Sequence, residues 1–196
     1  MLAAARRTPD EAFLGLDADA SRMREASQRS ARPVRKGGLA NAWFAMAAGE
    51  ALPSELDGRV GMLTVILPWG SLLRGALGPE SWFSDAVGRV LRPDGSLWML
   101  LSVAPRDGID GIPWLDGPTL RDLAARYRDA GWTVLDARPA TADDVACSGS
   151  SWAKRLGIPY QRGAAVLRLL PPTRPDRPIV DQVPGRSRST RAPRPT

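Results

Sequence analysis

The segment Met62-Leu-Thr-Val-Ile-Leu67 is too apolar to leave either face in water. Its β-prone composition and shortness read as a buried strand, and a strand covered on both faces belongs to a sheet layered between helices. The rest of the chain supplies those layers. Ala12-Phe-Leu-Gly-Leu16 is a short apolar run ending in Asp17, and Ala20 to Ser30 follows with helix-forming composition. Asn41 to Met46 reads as a second strand. After the third, Met62 to Leu67, come helical stretches at Ser71 to Leu77 and Glu80 to Leu91, then a turn at Arg92-Pro-Asp-Gly95. Ser96 to Val103 is a fourth strand. Thr119 to Ala130 carries Leu120, Leu123, Ala124 and Tyr127 on one helical face and is closed by Gly131. Trp132 to Ala137 and Ala164 to Leu170 complete the strands. Alternating β and α segments of this kind predict a parallel-rich α/β sheet.

Residue counts exclude several chemistries. The 196 residues contain no histidine and one cysteine, Cys147, so a Ser-His-Asp triad, a Cys-His pair, a histidine zinc site and an internal disulfide are all impossible. No metal site is expected. No apolar run approaches the ~20 residues of a membrane span, and a soluble, cytoplasmic monomer is the expectation. Cys147 reads as a small packing residue, and Asp143 and Asp144 as the first turn of a helix. Trp82, Trp98, Trp114 and Trp132 read as core packing or loop anchors.

Net charge is +6, carried mostly by arginine. Arg22 to Lys36 holds six cations against Glu25 alone. Such a balance favours polyanions, nucleic acid first. The same balance arises where arginine is merely the default surface cation, so composition leaves the partner open. Residues 171–196 hold seven prolines and six arginines with almost nothing apolar, which predicts a disordered Pro/Arg-rich tail behind a domain at residues 1–170.

Ligands of doubly wound sheets lie at the carboxyl ends of the strands, where an acidic residue ending a strand holds a nucleoside ribose. Asp17 stands at such an end, although Leu16-Asp-Ala-Asp19 also suits a helix N-cap. At the end of the third strand, Pro68-Trp-Gly-Ser71 presents an indole as a stacking face.

Leu16-Asp-Ala-Asp-Ala-Ser-Arg-Met23, Lys36-Gly-Gly-Leu39, Glu50-Ala-Leu-Pro53, Leu67-Pro-Trp-Gly-Ser-Leu-Leu-Arg-Gly-Ala-Leu-Gly78 and Ser150-Ser-Trp-Ala-Lys-Arg-Leu156 occur in one order. Together they resemble the aminoglycoside-resistance methyltransferases that modify N1 of adenine 1408 in 16S ribosomal RNA, the kanamycin–apramycin type. The resemblance implies a Rossmann-like class I fold dependent on S-adenosylmethionine, acting on 16S rRNA within the 30S subunit. By the same resemblance Asp17 would hold the cofactor ribose, and Gly49 with Glu50 would flank its adenine. Trp69 and Trp152 would sandwich the flipped target base, with Pro68 and Ser151 shaping the pocket. Arg32, Arg35, Lys36 and Arg155 would hold rRNA phosphates.

The family pattern opens with a strand and an acidic Gly-rich loop that are not found here. Met1 falls within the helix that should follow them, so the expectation is an N-terminally incomplete fold, lacking a central strand, read as a late start. Losing about five buried apolar residues at ~1.5–3 kcal/mol each forfeits on the order of 10 kcal/mol, comparable to the ~5–15 kcal/mol stability of a domain. Two alternatives therefore stand beside the rRNA methyltransferase: a truncated or catalytically dead RNA-binding relative, and a small-molecule methyltransferase on the same scaffold.

Overall fold

The computed structural model describes residues 1–78, 81–109, 112, 114–158 and 162–173. Its elements run α1 (Leu2–Arg7), β1 (Phe13–Asp17), α2 (Ala20–Ser30), β2 (Ala42–Met46), β3 (Val60–Ile66), α3 (Gly70–Leu77), α4 (Ser81–Val90), β4 (Leu91–Leu101), α5 (Gly117–Asp129), β5 (Thr133–Pro139), α6 (Ala142–Ser148), α7 (Ser151–Arg155) and β6 (Ala165–Leu170). Every expected strand is present. Beyond residue 173 the expected tail lies outside the described residues. Among those described, no helix is long and apolar enough to cross a membrane, and no cluster of acidic or sulfur side chains has a metal-binding arrangement.

Two sheets form rather than one. β1 pairs with β2 in parallel, and β3-β4-β6-β5 form a separate four-stranded sheet. In the larger sheet β3 and β4 are parallel, while β6 runs antiparallel to both β4 and β5. The sheet is thus less uniformly parallel than the alternation predicts. The Arg92–Gly95 turn also differs from expectation. Val60 pairs with Leu91 and Met62 with Ser96, so the turn residues are an irregularity inside β4, not its boundary.

Period-two alternation places the core of the larger sheet. Leu97, Met99 and Leu101 of β4 and Ala165, Leu167 and Leu169 of β6 pack with α3, α4 and α5. Leu100 and Val166 point the other way, into a smaller cluster with Leu67, Val145, Ala153 and Ile158. Tyr127 of α5 is fully buried and donates its hydroxyl to the Ala76 carbonyl at 2.8 Å, tying α5 to α3. Burial pushes its phenol well above the ordinary value.

The β1–β2 pair is thinner. Asn41 staples its approach by donating its amide to the carbonyls of Ala5, Thr8 and Glu11. Yet neither apolar cluster contains a residue that precedes β3. The reading of Cys147 as a packing residue is corrected here, and two tryptophans also stand outside the core. Cys147 is exposed on α6, Trp114 is half exposed, and Trp43, within β2, is exposed as well. Trp132 is buried as expected, edge-on to Tyr127.

Candidate active site

Both sheets contribute to one cavity of about 600 Å³. The β1–β2 side supplies Leu16, Asp17, Gly49 and Glu50, and the other side supplies Leu63 through Leu72. Consecutive residues of β3 line it, as happens when a strand offers its hydrogen-bonding edge instead of one face. The chain termini of β1, β2 and β3 that point into the cavity are their carboxyl ends, the position where α/β sheets bind ligands.

Asp17 is the last residue of β1, and its Oδ1 accepts the Asp19 amide at 2.8 Å, a turn that fixes the carboxylate at the strand end. Asp19 resolves the alternative left by the sequence: it caps α2 by accepting the Ser21 amide at 2.9 Å. The Ser21 hydroxyl and amide hold its carboxyl below the ordinary value. Gly49 begins a short 3₁₀ turn, and a Cβ there would lie 2.8 Å from Leu72 Cδ1, so a larger residue would push the Leu72 side chain of α3 aside. Glu50 reaches across to α3, where the Ser71 hydroxyl holds its carboxyl below the ordinary value. Ser71 thereby joins the two halves of the cavity, a role its place in Pro68-Trp-Gly-Ser71 did not disclose.

The Trp69 turn is held by strain that packing sustains. Leu67 adopts φ 48°, a left-handed conformation that costs a branched side chain ~1–3 kcal/mol. Its amide bonds the Leu100 carbonyl at 2.8 Å and its side chain is buried in the smaller apolar cluster, a burial of ~1.5–3 kcal/mol that offsets the strain. Pro68, also buried, then fixes the direction of the chain. Trp69 emerges 45% exposed at the start of α3.

That same cluster includes Ala153, the neighbour of Trp152 on α7. The two tryptophans are therefore anchored through one patch of core, although Trp152, Ser151 and Arg155 stand on α7 outside the cavity lining. Ser150 caps α7 by accepting the Ala153 amide at 3.3 Å, leaving Ser151 and Trp152 exposed in its first turn.

The basic residues fall in two places. Arg155 is exposed on α7, while Arg32, Arg35 and Lys36 are exposed around a 3₁₀ turn between α2 and β2. That turn lies at the amino end of β2, the far end from the cavity, separated by the length of α2 at roughly 1.5 Å per residue. A Cβ on Gly38 would overlap the Arg32 carbonyl, so the turn is tight and needs glycine there. None of these four cations forms an ion pair among the described residues.

Comparison with known proteins agrees with this fold. Residues 1–169 match the family model of the NpmA 16S rRNA (adenine(1408)-N(1))-methyltransferases. A protein of Streptoalloteichus hindustanus with that same description is 40% identical over 163 residues, spanning 81% of this chain and 75% of the relative. The crystal structure of the 16S rRNA methyltransferase KamB superposes with a TM-score of 0.78 at 34% identity, covering 87% of this chain and 82% of the other. A tryptophan mutant of the Catenulisporales acidiphilia enzyme, crystallised with its cosubstrate SAM, gives 0.76 at 28% identity over 90% and 82%. A Rossmann-like methyltransferase fold, a cavity at the carboxyl ends of its strands and a match along nearly all of residues 1–169 lead to one conclusion: the chain belongs to the 16S rRNA (adenine(1408)-N(1))-methyltransferase family.

Proposed function

We propose that the protein transfers a methyl group from S-adenosylmethionine to N1 of adenine 1408 of 16S rRNA in the 30S subunit, giving aminoglycoside resistance. The observation that carries this reading is the joint cavity, with an acidic strand end on one side and a strained, indole-bearing turn on the other. Its volume lies within the ~300–1,000 Å³ typical of small-ligand sites. Asp17 at the end of β1 suits a ribose, and the Gly49–Glu50 turn suits an adenine, so the residues present fit the nucleoside half of the cofactor. When bound, S-adenosylmethionine supplies an electrophilic methyl on sulfur.

The chain's own residues have then to position a base. Adenine N1 carries an in-plane lone pair and attacks without a general base, so the absence of histidine is no obstacle. N1 lies on the pairing edge, so the base leaves its stack at a cost of a few kcal/mol. Trp69 and Trp152 repay that by stacking at ~1–3 kcal/mol each, and their π faces favour the positive charge that develops on the ring. Pro68 and Ser151 shape the pocket wall. Arg155 beside Trp152 and the Arg32–Arg35–Lys36 turn at the far end hold phosphates at two separated points, which sets register as well as affinity.

Methyl transfer from labelled S-adenosylmethionine to purified 30S subunits, mapped by reverse transcription, tests the proposal. A strong stop at adenine 1408 is expected because N1 methylation blocks pairing. RNA binding without transfer would favour a catalytically dead RNA-binding relative, and transfer only to small acceptors would favour a small-molecule enzyme.

A further inference from the structure

No motif singles out Arg162, yet it is only 5% exposed. A guanidinium keeps its charge and has five donors, so burial is tolerated only where that charge is paired and the donors are used. Both conditions hold. Asp107, 2% exposed at its side chain, takes Nη1 on Oδ1 at 3.3 Å and Nη2 on Oδ2. Nε donates to Ser102 Oγ at 2.8 Å and Nη2 to the Ser102 carbonyl at 3.1 Å. The partners are fixed in turn: Asp107 accepts the Ala104 amide at 2.9 Å, and Ser102 Oγ donates to the Gly163 carbonyl at 2.7 Å.

What this assembly touches is Trp69. Arg162 Cζ lies 5.5 Å from the centroid of the indole, within cation–π range. A buried ion pair is a weak device for stability, since apolar side chains of similar volume often do as well. As a backing for an aromatic ring it has a use that apolar packing lacks. It attracts one face of the indole, and Trp69 keeps 45% of its surface exposed. Asp107 completes the device: an unpaired guanidinium behind the ring would oppose positive charge on a base stacked in front, and the carboxylate cancels that field.

We propose that Arg162, oriented by Asp107 and Ser102, is a positioning residue that holds the Trp69 indole with a single face open to the target base. The inference rests on the reading of Trp69 as a stacking residue.

The test uses the full chain labelled with 5-fluorotryptophan, with Trp69→Phe assigning the Trp69 fluorine resonance. Because Arg162→Met alone strands a buried carboxylate, the Arg162→Met/Asp107→Asn pair is the principal variant, with Arg162→Lys as the conservative one. The double variant is expected to shift or broaden the Trp69 resonance while those of the remaining tryptophans stay in place, and Arg162→Lys to restore part of the change. On 30S subunits the double variant should lower kcat about tenfold to a hundredfold with little change in KM, since misplacing a reacting group costs turnover. A Trp69 resonance that does not move overturns the positioning role. A moved resonance in a protein whose Trp69→Ala variant still methylates at the full rate overturns the stacking reading beneath it.

Discussion

In the four-stranded sheet, β4 and β6 are covered on both faces, and Leu97, Met99, Leu100, Leu101, Ala165, Val166, Leu167 and Leu169 are all fully buried. In the two-stranded sheet only Ala42 is buried, and it keeps 5% exposure, while Leu14, Trp43 and Met46 are exposed. The two regions share one local grammar of strand, helix and parallel strand, yet one owns the core and the other leans on it. They also divide the cavity: in the proposed function the thin sheet offers carboxylates for a nucleoside, and the thick one offers a stacking surface on a strained turn. A ligand that spans both therefore does more than bind. It couples the half that holds the buried core to the half that is largely exposed.

Native-state hydrogen exchange sharpens this contrast most. Amides of β1 and β2 should exchange about a thousandfold faster than those of β4 and β6, the equivalent of ~4 kcal/mol between a local opening and a global one. S-adenosylmethionine at a hundred times its Kd should return up to ~2.7 kcal/mol of protection, confined to the thin half. Equal protection of the two sheets without ligand would break the comparison.

Truncations in the two regions come next. Leu97→Ala, in the fully buried face of β4, should cost ~2–5 kcal/mol by chemical denaturation. Leu14→Ala, 43% exposed in β1, should fall within about 0.5 kcal/mol of the parent. A large loss at Leu14 would mean that β1 is cooperative with the main core.

The division of labour predicts a crossed pattern in binding. Trp69→Ala or Trp152→Ala should slow rRNA methylation roughly fivefold to 150-fold, each losing ~1–3 kcal/mol of stacking, while calorimetric affinity for S-adenosylmethionine is nearly unchanged. Asp17→Ala should do the reverse and weaken the cofactor first. Loss of cofactor affinity in either tryptophan variant would contradict the assignment.

A pH-dependent effect lies outside the cavity lining, on the thick side. Asp144 caps α6 with Thr141 and pairs with Arg138, and the Arg138 guanidinium first, then the Thr141 amide and hydroxyl, hold its carboxyl well below the ordinary range. A depressed folded pKa stabilises above the unfolded value, and the benefit fades as pH falls through the folded one. Asp144→Asn should therefore cost ~1 kcal/mol at neutral pH, as a lost cap does, and the gap should close as pH drops below the ordinary carboxylate value. A gap independent of pH would assign the effect to packing.

Local pattern was enough to place every strand, because apolar runs and turn residues are written in consecutive positions. Leu16-Asp17 could be read as a strand end on a ligand site, and Trp69 as a presented indole, for the same reason. Leu16-Asp-Ala-Asp19 was readable as a ligand-binding strand end or as a helix cap, and the Ser21 amide at the Asp19 carboxylate assigns the cap to Asp19. The direction of β6 and the division into two sheets were not legible: a strand's composition is the same whichever way it runs, and pairing is decided by the partners available to it.

What the sequence determined by itself was the alternation of elements, the exclusion of histidine and disulfide chemistry, and the short blocks that identify the family. Each is a property of neighbouring residues or of counts. The tertiary structure alone decided that Glu50 meets Ser71, that Leu67 is held at a positive φ by a cluster that also anchors α7, and that the basic turn sits at the opposite end from the cavity. It alone brought Arg162 to Trp69 and Asp107 across more than 50 intervening residues in each case. A buried charge acquires its meaning from what the fold places beside it, because pairing energy depends on distance in space and not on distance along the chain.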